Sequence, residues 1–149
     1  ASMVARSGIE SWDSLTLQEK QYLPQKYSFD NEEYKQKFLA TMKENPMMKH
    51  MGGKTMLDNI FKAQVVKDEK MAESISDYID ENPNMFVYML CGSFHSDYNL
   101  GTVEKLLDRK PKLNIATITT IPILEGKSFR DLNYSDYLDI ADYVIFVND

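Results

Sequence analysis

The sequence predicts an α/β fold: a parallel-leaning sheet flanked by helices, with an N-terminal helical region, all part of a larger domain. Three observations carry that prediction. Helical spacing of apolar residues dominates from Ser2 to Glu81. Runs of strand type then follow at Met85–Cys91, Leu113–Ile123 and Asp142–Val147. A helical stretch, Gly101–Arg109, separates the first two, and a strand–helix–strand connection makes a right-handed parallel unit the default.

In chain order, Val4, Ile9 and Trp12 suit a first short helix. Leu15, Leu17, Tyr22 and Leu23 suit a second, with Ser14 or Thr16 as N-cap and Pro24 as the stop. Asp30 is placed to cap Asn31–Glu44, where Tyr34, Phe38 and Met42 share one face and Glu33 pairs with Lys37 on another. Asn45-Pro46 ends that helix and Met47–Lys54 is a loop. Thr55 is the expected cap of the longest helix, Met56 to Glu81, with Asp58 in a capping-box role. Its apolar stripe is read as Met56, Ile60, Ala63, Met71, Ile75, Tyr78 and Ile79, interrupted by the polar pair Gln64 and Asp68.

Asn82-Pro83-Asn84 delivers the chain into Met85–Cys91, read as a buried central strand in which Cys91 packs as a small hydrophobe. Gly92 then breaks the run, a position expected to need φ > 0. Ser135–Ala141 is an acidic helical turn before the last strand. Three strands are few for a covered parallel sheet. The chain is therefore expected to be the C-terminal part of its domain, with residues 1–55 as a helical cap and 56–149 as a helix plus β-α-β core.

Composition narrows the function classes. With 149 residues, 43% hydrophobic and 27% charged, the chain is globular and the size of one domain. A net charge of −6 with no basic patch argues against nucleic acid as a partner. No apolar run approaches the ~20 residues of a membrane helix. The single cysteine forbids an internal disulfide. The chain begins Ala1-Ser2-Met3 with no visible signal peptide, as a mature form or a fragment would.

The candidate site follows from the strand reading. His95 sits just past the C-terminal end of the expected central strand, the edge at which open parallel sheets bind ligands. It suits a metal ligand or a base, and its ordinary alternative is a turn histidine bonded to backbone. Tyr98 offers a hard oxygen donor, set against nine tyrosines that mostly pack. Asp97 offers a carboxylate, although one acid in a turn is usually solvated. Gln64 and Asp68 must find partners if buried, either His95 and a ligand or an ordinary neighbouring group. Met47, Met48, His50 and Met51 suit a soft metal or a flexible apolar lid, and equally a gap-filling loop. Asp131, Asp136, Asp139 and Asp142 read as a solvated face.

Three blocks resemble a known family. Ala63-Gln64-x-x-x-Asp68-x-x-Met71-Ala72 is similar to that family's Ala-Gln-x-x-x-Asp-x-x-Met-Ala helix. Gly92-x-x-His95 after a hydrophobic run, with Gly101 six residues on, is similar to its Gly-x-x-His turn. Val4–Gly8 through Leu23-Pro24 to Tyr34 is similar to the segment after its early strands. The family is the ChaN-like haem-binding uptake family of the Tiki/erythromycin-esterase-like superfamily. Asp97 stands where the family commonly has Arg, and Gly101-Thr102-Val103 replaces a Gly-Val-Pro helix entry.

The resemblance implies a haem or iron-porphyrin binding protein of bacterial iron uptake rather than an enzyme. Its ligand-binding residues would be His95, Tyr98, Gln64, Asp68, Gly92 and Met71, with His95 and Tyr98 toward the metal. It also implies a periplasmic or outer-membrane lipoprotein, and a homodimer is left open. Relatives in the superfamily supply the alternative, a hydrolase dependent on a divalent metal ion, completed by a Gly-Glu-x-His motif that has no counterpart in this sequence. A scaffold without catalysis is the third reading.

Overall fold

The computed structural model describes residues 2–44 and 54–148. Two compact units divide the chain, Ala1–Val87 and Tyr88–Asp149. The first is helical and the second contains a small parallel sheet, so the fold is α/β. The Met47, Met48, His50 and Met51 cluster lies outside the described residues.

In the first unit, α1 (Ser2–Ser7) is followed by a 3-10 segment, Ile9–Ser14, and by α2 (Leu17–Lys20), α3 (Glu32–Glu44) and α4 (Lys54–Glu81). Gly8 separates the first two at φ 77°, where a side chain is disfavoured and a Cβ would lie 2.5 Å from Glu10 Oε2. Thr16 is the cap of α2. Its hydroxyl accepts from Glu19 N–H while Glu19 accepts from Thr16 N–H, a complete capping box. The 28-residue α4 starts ahead of the expected Thr55 cap. Asp58 forms ion pairs with Lys35 at 2.8 Å and Lys62 at 2.9 Å. Those lysines hold its carboxyl below the usual range, and Asp58 raises the Lys35 ammonium in return.

Packing decides which face of α4 is inside. α1 and α3 both lie against it, Val4 buried from one and Tyr34 and Phe38 from the other. The rings of Tyr34 and Phe38 each sit 5.6 Å from that of Phe61. Burying each of these side chains contributes about 1.5–3 kcal/mol. The expected stripe is rotated: Ala63 is buried, but Met56, Ile60, Met71, Ile75 and Ile79 are only half-buried and Tyr78 is exposed. Phe61, Val65, Asp68, Ala72 and Ser76 line the buried side, joined by Glu69 and Glu73. The two glutamates can be inside because Glu69 accepts from Ser28 N–H at 3.0 Å and Glu73 from Gln25 N–H at 2.7 Å. They tie the loop after Pro24 to the helix.

In the second unit, α5 (Thr102–Arg109) precedes β1 (Ile118–Ile123) and β2 (Tyr143–Asn148). The strands pair in parallel, Ile118 opposite Tyr143 through Ile123 opposite Asn148. Residues 124–142 make the long connection that a parallel pair requires, through 3-10 turns at Phe129–Asp131 and Tyr134–Tyr137.

Four expectations are corrected here. Asn31 rather than Asp30 caps α3, its Oδ1 accepting from Tyr34 N–H at 2.8 Å, and the strand expected over Leu113–Ile123 begins only at Ile118. Met85–Cys91 is not a buried strand: among the described residues it joins no ladder, Phe86 is 88% and Leu90 83% exposed, and Cys91 is exposed as well. An apolar run becomes a strand only when a neighbour takes its N–H and C=O groups. Gly92 has φ −70° and ψ 149°, ordinary extended backbone. The turn bends later.

Candidate functional site

The bend is built between Gly92 and Gly101. Ser93–His95 and Asp97–Asn99 form two consecutive 3-10 turns, closed by His95 N–H to Gly92 O at 2.9 Å and Asn99 N–H to Ser96 O at 3.2 Å. Tyr98 (φ 61°) and Asn99 (φ 56°) are both left-handed, a conformation costing about 1–2 kcal/mol per non-glycine residue. Gly101, at φ 59° and ψ −124°, then takes a backbone region open to little besides glycine. The strain is held in place by Tyr98 N–H, which donates to Ile140 O at 2.6 Å. That bond ties the turn to the segment leading into β2. Tyr98 is thereby left 38% exposed, and His95 is half-buried beside it in the chain.

Asp97 anchors the same turn to β1. Thr119, buried on the strand, donates its hydroxyl to the Asp97 carboxyl. Burial outweighs that bond and pushes the carboxyl above its usual range. Its Oδ1 is buried without a hydrogen-bond partner among the described residues. Thr117, two residues earlier on the same side, does the corresponding work for the other strand. Its N–H (2.7 Å) and hydroxyl (2.9 Å) donate to Asp142 Oδ2. The backbone bond is the larger reason that the Asp142 carboxyl lies below its usual range. Neither threonine stood out in the sequence. A signal was present, because alternate positions of a strand share a face and a buried threonine needs a polar partner.

Gln64 and Asp68 belong to the first unit and are engaged there. Tyr34 donates its hydroxyl to Asp68 Oδ2 at 2.7 Å, and Gln64 Nε2 donates to the Tyr34 oxygen at 3.2 Å. Asp68 is 0% and Tyr34 2% exposed. This is the arrangement of a polar pair that joins two helices. Met71 lies half-buried one turn further along α4.

His95 and Tyr98, three residues apart on one anchored turn, are therefore the candidate donors that the second unit presents together. Tyr88 and Leu90, both exposed, supply apolar surface just before the turn. An imidazole and a phenol are donors that iron accepts, and both serve as axial ligands of haem. Among the described residues no three His, Cys, Asp or Glu side chains gather as a ligand set for a metal ion, and no helix is long and apolar enough to cross a membrane.

No curated protein and no solved structure matches the chain. A family model described as haem-binding uptake, Tiki superfamily, ChaN, matches residues 1–106, a span holding α1 to α4 and the turn with His95 and Tyr98. The chain belongs to this ChaN-like haem-binding uptake family.

Proposed function

We propose that this protein binds haem or a related iron porphyrin in bacterial iron uptake, through the turn that carries His95 and Tyr98. The observation that supports the reading most is the strained, doubly anchored backbone at Tyr98, which keeps a phenol exposed close in sequence to an imidazole. Strain of this kind persists where the surroundings over-determine it, and it gathers at ligand sites. His95 or Tyr98 would meet the iron, and the other would take a propionate or steady its neighbour. Tyr88 and Leu90 would lie against the macrocycle, whose burial supplies most of the affinity. Bound haem would bring redox-active iron, which here is cargo to be carried.

Gly92 is part of the site only as the entry to the turn. Gln64 and Asp68 hold the helical unit together through Tyr34. A periplasmic or outer-membrane lipoprotein setting accompanies this reading. Fractionation of cells making the native protein tests it, and recovery from the cytosol would count against it.

Haemin titration followed at the Soret band tests the function. The parent protein is expected to give a saturable shift, weakened in His95→Ala and in Tyr98→Phe. A shift unchanged in the double variant would move the site elsewhere, and no shift in the parent would end the haem reading. Tyr22→Phe, at an exposed ring, is the control that should change nothing.

A further inference from the structure

The second unit carries another concave feature, separate in chemistry from the His95 turn. Phe146, on β2, is surrounded by rings set nearly at right angles to its own. Tyr137 lies 5.1 Å away at 84°, Tyr134 5.7 Å away at 76°, and Phe129 6.5 Å away at 88°. Tyr134, Tyr137 and Phe146 line a cavity of about 210 Å³ together with Leu138, Ala141, Val144 and Asp142. The 3-10 turn Tyr134–Tyr137 sets the two tyrosines, and the Tyr134 hydroxyl is fixed by donating to Phe129 O at 2.8 Å.

We propose that this cavity is a binding site for a small quaternary ammonium compound. Two independent features lead there. Three aromatic residues, Tyr134, Tyr137 and Phe146, line one small volume, and an alkylated cation gains more from aromatic rings than a neutral group does. The charged residue in the lining is a carboxylate, Asp142, steadied by the N–H and hydroxyl of Thr117. An anion such as a porphyrin propionate would meet the Asp142 carboxylate in this lining, so this site does not serve the haem reading and does not rest on it. The cavity volume suits a trimethylammonium headgroup better than a drug-sized molecule.

The test uses the full chain, labelled with ¹⁵N, titrated with choline and separately with 3,3-dimethyl-1-butanol, its neutral isostere. Choline is expected to shift amides within residues 134–146 saturably, and the isostere to bind more weakly by about twofold to thirtyfold, the range of cation–π attraction. Tyr137→Leu should weaken choline by a similar factor. Asp136→Asn changes an exposed carboxylate and no ring, so it reads the charge contribution even if the Tyr137 variant does not fold. No saturable shifts, shifts spread outside this segment, or equal binding of choline and its isostere would overturn the proposal. Equal binding would mark the cavity as an apolar packing defect.

Discussion

Replacing Tyr34 by Phe removes one oxygen and, with it, two hydrogen bonds inside the helical unit. The hydroxyl that donates to Asp68 Oδ2 at 2.7 Å is lost, and so is the acceptor of Gln64 Nε2 at 3.2 Å. Both Tyr34 and Asp68 are closed to water, so no solvent molecule replaces the lost partner. A bond to a carboxylate is worth about 1.5–3 kcal/mol and a neutral one about 0.5–1.5 kcal/mol, so the variant should lose about 2–4 kcal/mol. Ring packing against Phe61 is kept, which makes the substitution a clean test of the polar pair. The chain has a single tryptophan, Trp12, whose ring meets that of Tyr27 at 5.0 Å. Its fluorescence therefore reports unfolding of this unit. With an m-value of about 2 kcal/mol/M, the urea midpoint should fall by about 1–2 M. A loss below about 0.5 kcal/mol, the size of an ordinary surface change, would refute the argument. The same variant separates structure from ligand binding. It should keep the haemin response of the parent while folded, and loss of that response in a folded variant would return Gln64 and Asp68 to the binding site.

Other outcomes follow from the geometry. Phe61→Ala should cost about 3–5 kcal/mol by the same fluorescence assay, because its ring is the shared partner of Tyr34 and Phe38. Gly101→Ala should destabilise the second unit by about 1–3 kcal/mol, since φ 59° and ψ −124° do not suit a residue with a Cβ. Gly92→Ala should be neutral when both variants are melted under near-UV circular dichroism, because its backbone is extended and a Cβ there would meet nothing within 4 Å. Equal losses in the two glycine variants would contradict this contrast. The Asp142 carboxyl titrates below its ordinary 3.8 when folded, so its bonds to Thr117 stabilise the unit above that pH. Asp142→Asn should therefore lag the parent at pH 5–7, and the gap should close as pH falls below about 3.8. A gap that widens toward low pH would show the sign to be wrong.

Local rules, read along the chain, were enough for the helices and for the family. Thr16 as a cap and the long α4 rest on neighbours within a few residues in sequence, whereas α2 ends at Lys20, ahead of the expected Pro24 stop. Gly92-x-x-His95 and the Gln64/Asp68/Met71-Ala72 helix likewise carry the family resemblance by spacing alone. What spacing does not carry is the identity of a distant partner. Met85–Cys91 has the composition of a strand, yet a strand exists only where another backbone takes its hydrogen bonds, and that is a tertiary fact. The polar face of α4 had the same ambiguity. Asp68, Glu69 and Glu73 are met inside by Tyr34 and the N–H groups of Ser28 and Gln25, which come to them from 34, 41 and 48 residues away, while Lys70 pairs with Glu73 from the same helix. The left-handed pair at Tyr98 and Asn99 could not be read either, since neither residue demands φ > 0; the bond from Tyr98 to Ile140 holds it. The sequence by itself thus determined that the first part of the chain is helical, the family and the turn on which His95 lies. The tertiary structure decided which polar groups are inside and which aromatic rings meet around Phe146, because burial and long-range pairing depend on what the rest of the chain brings alongside.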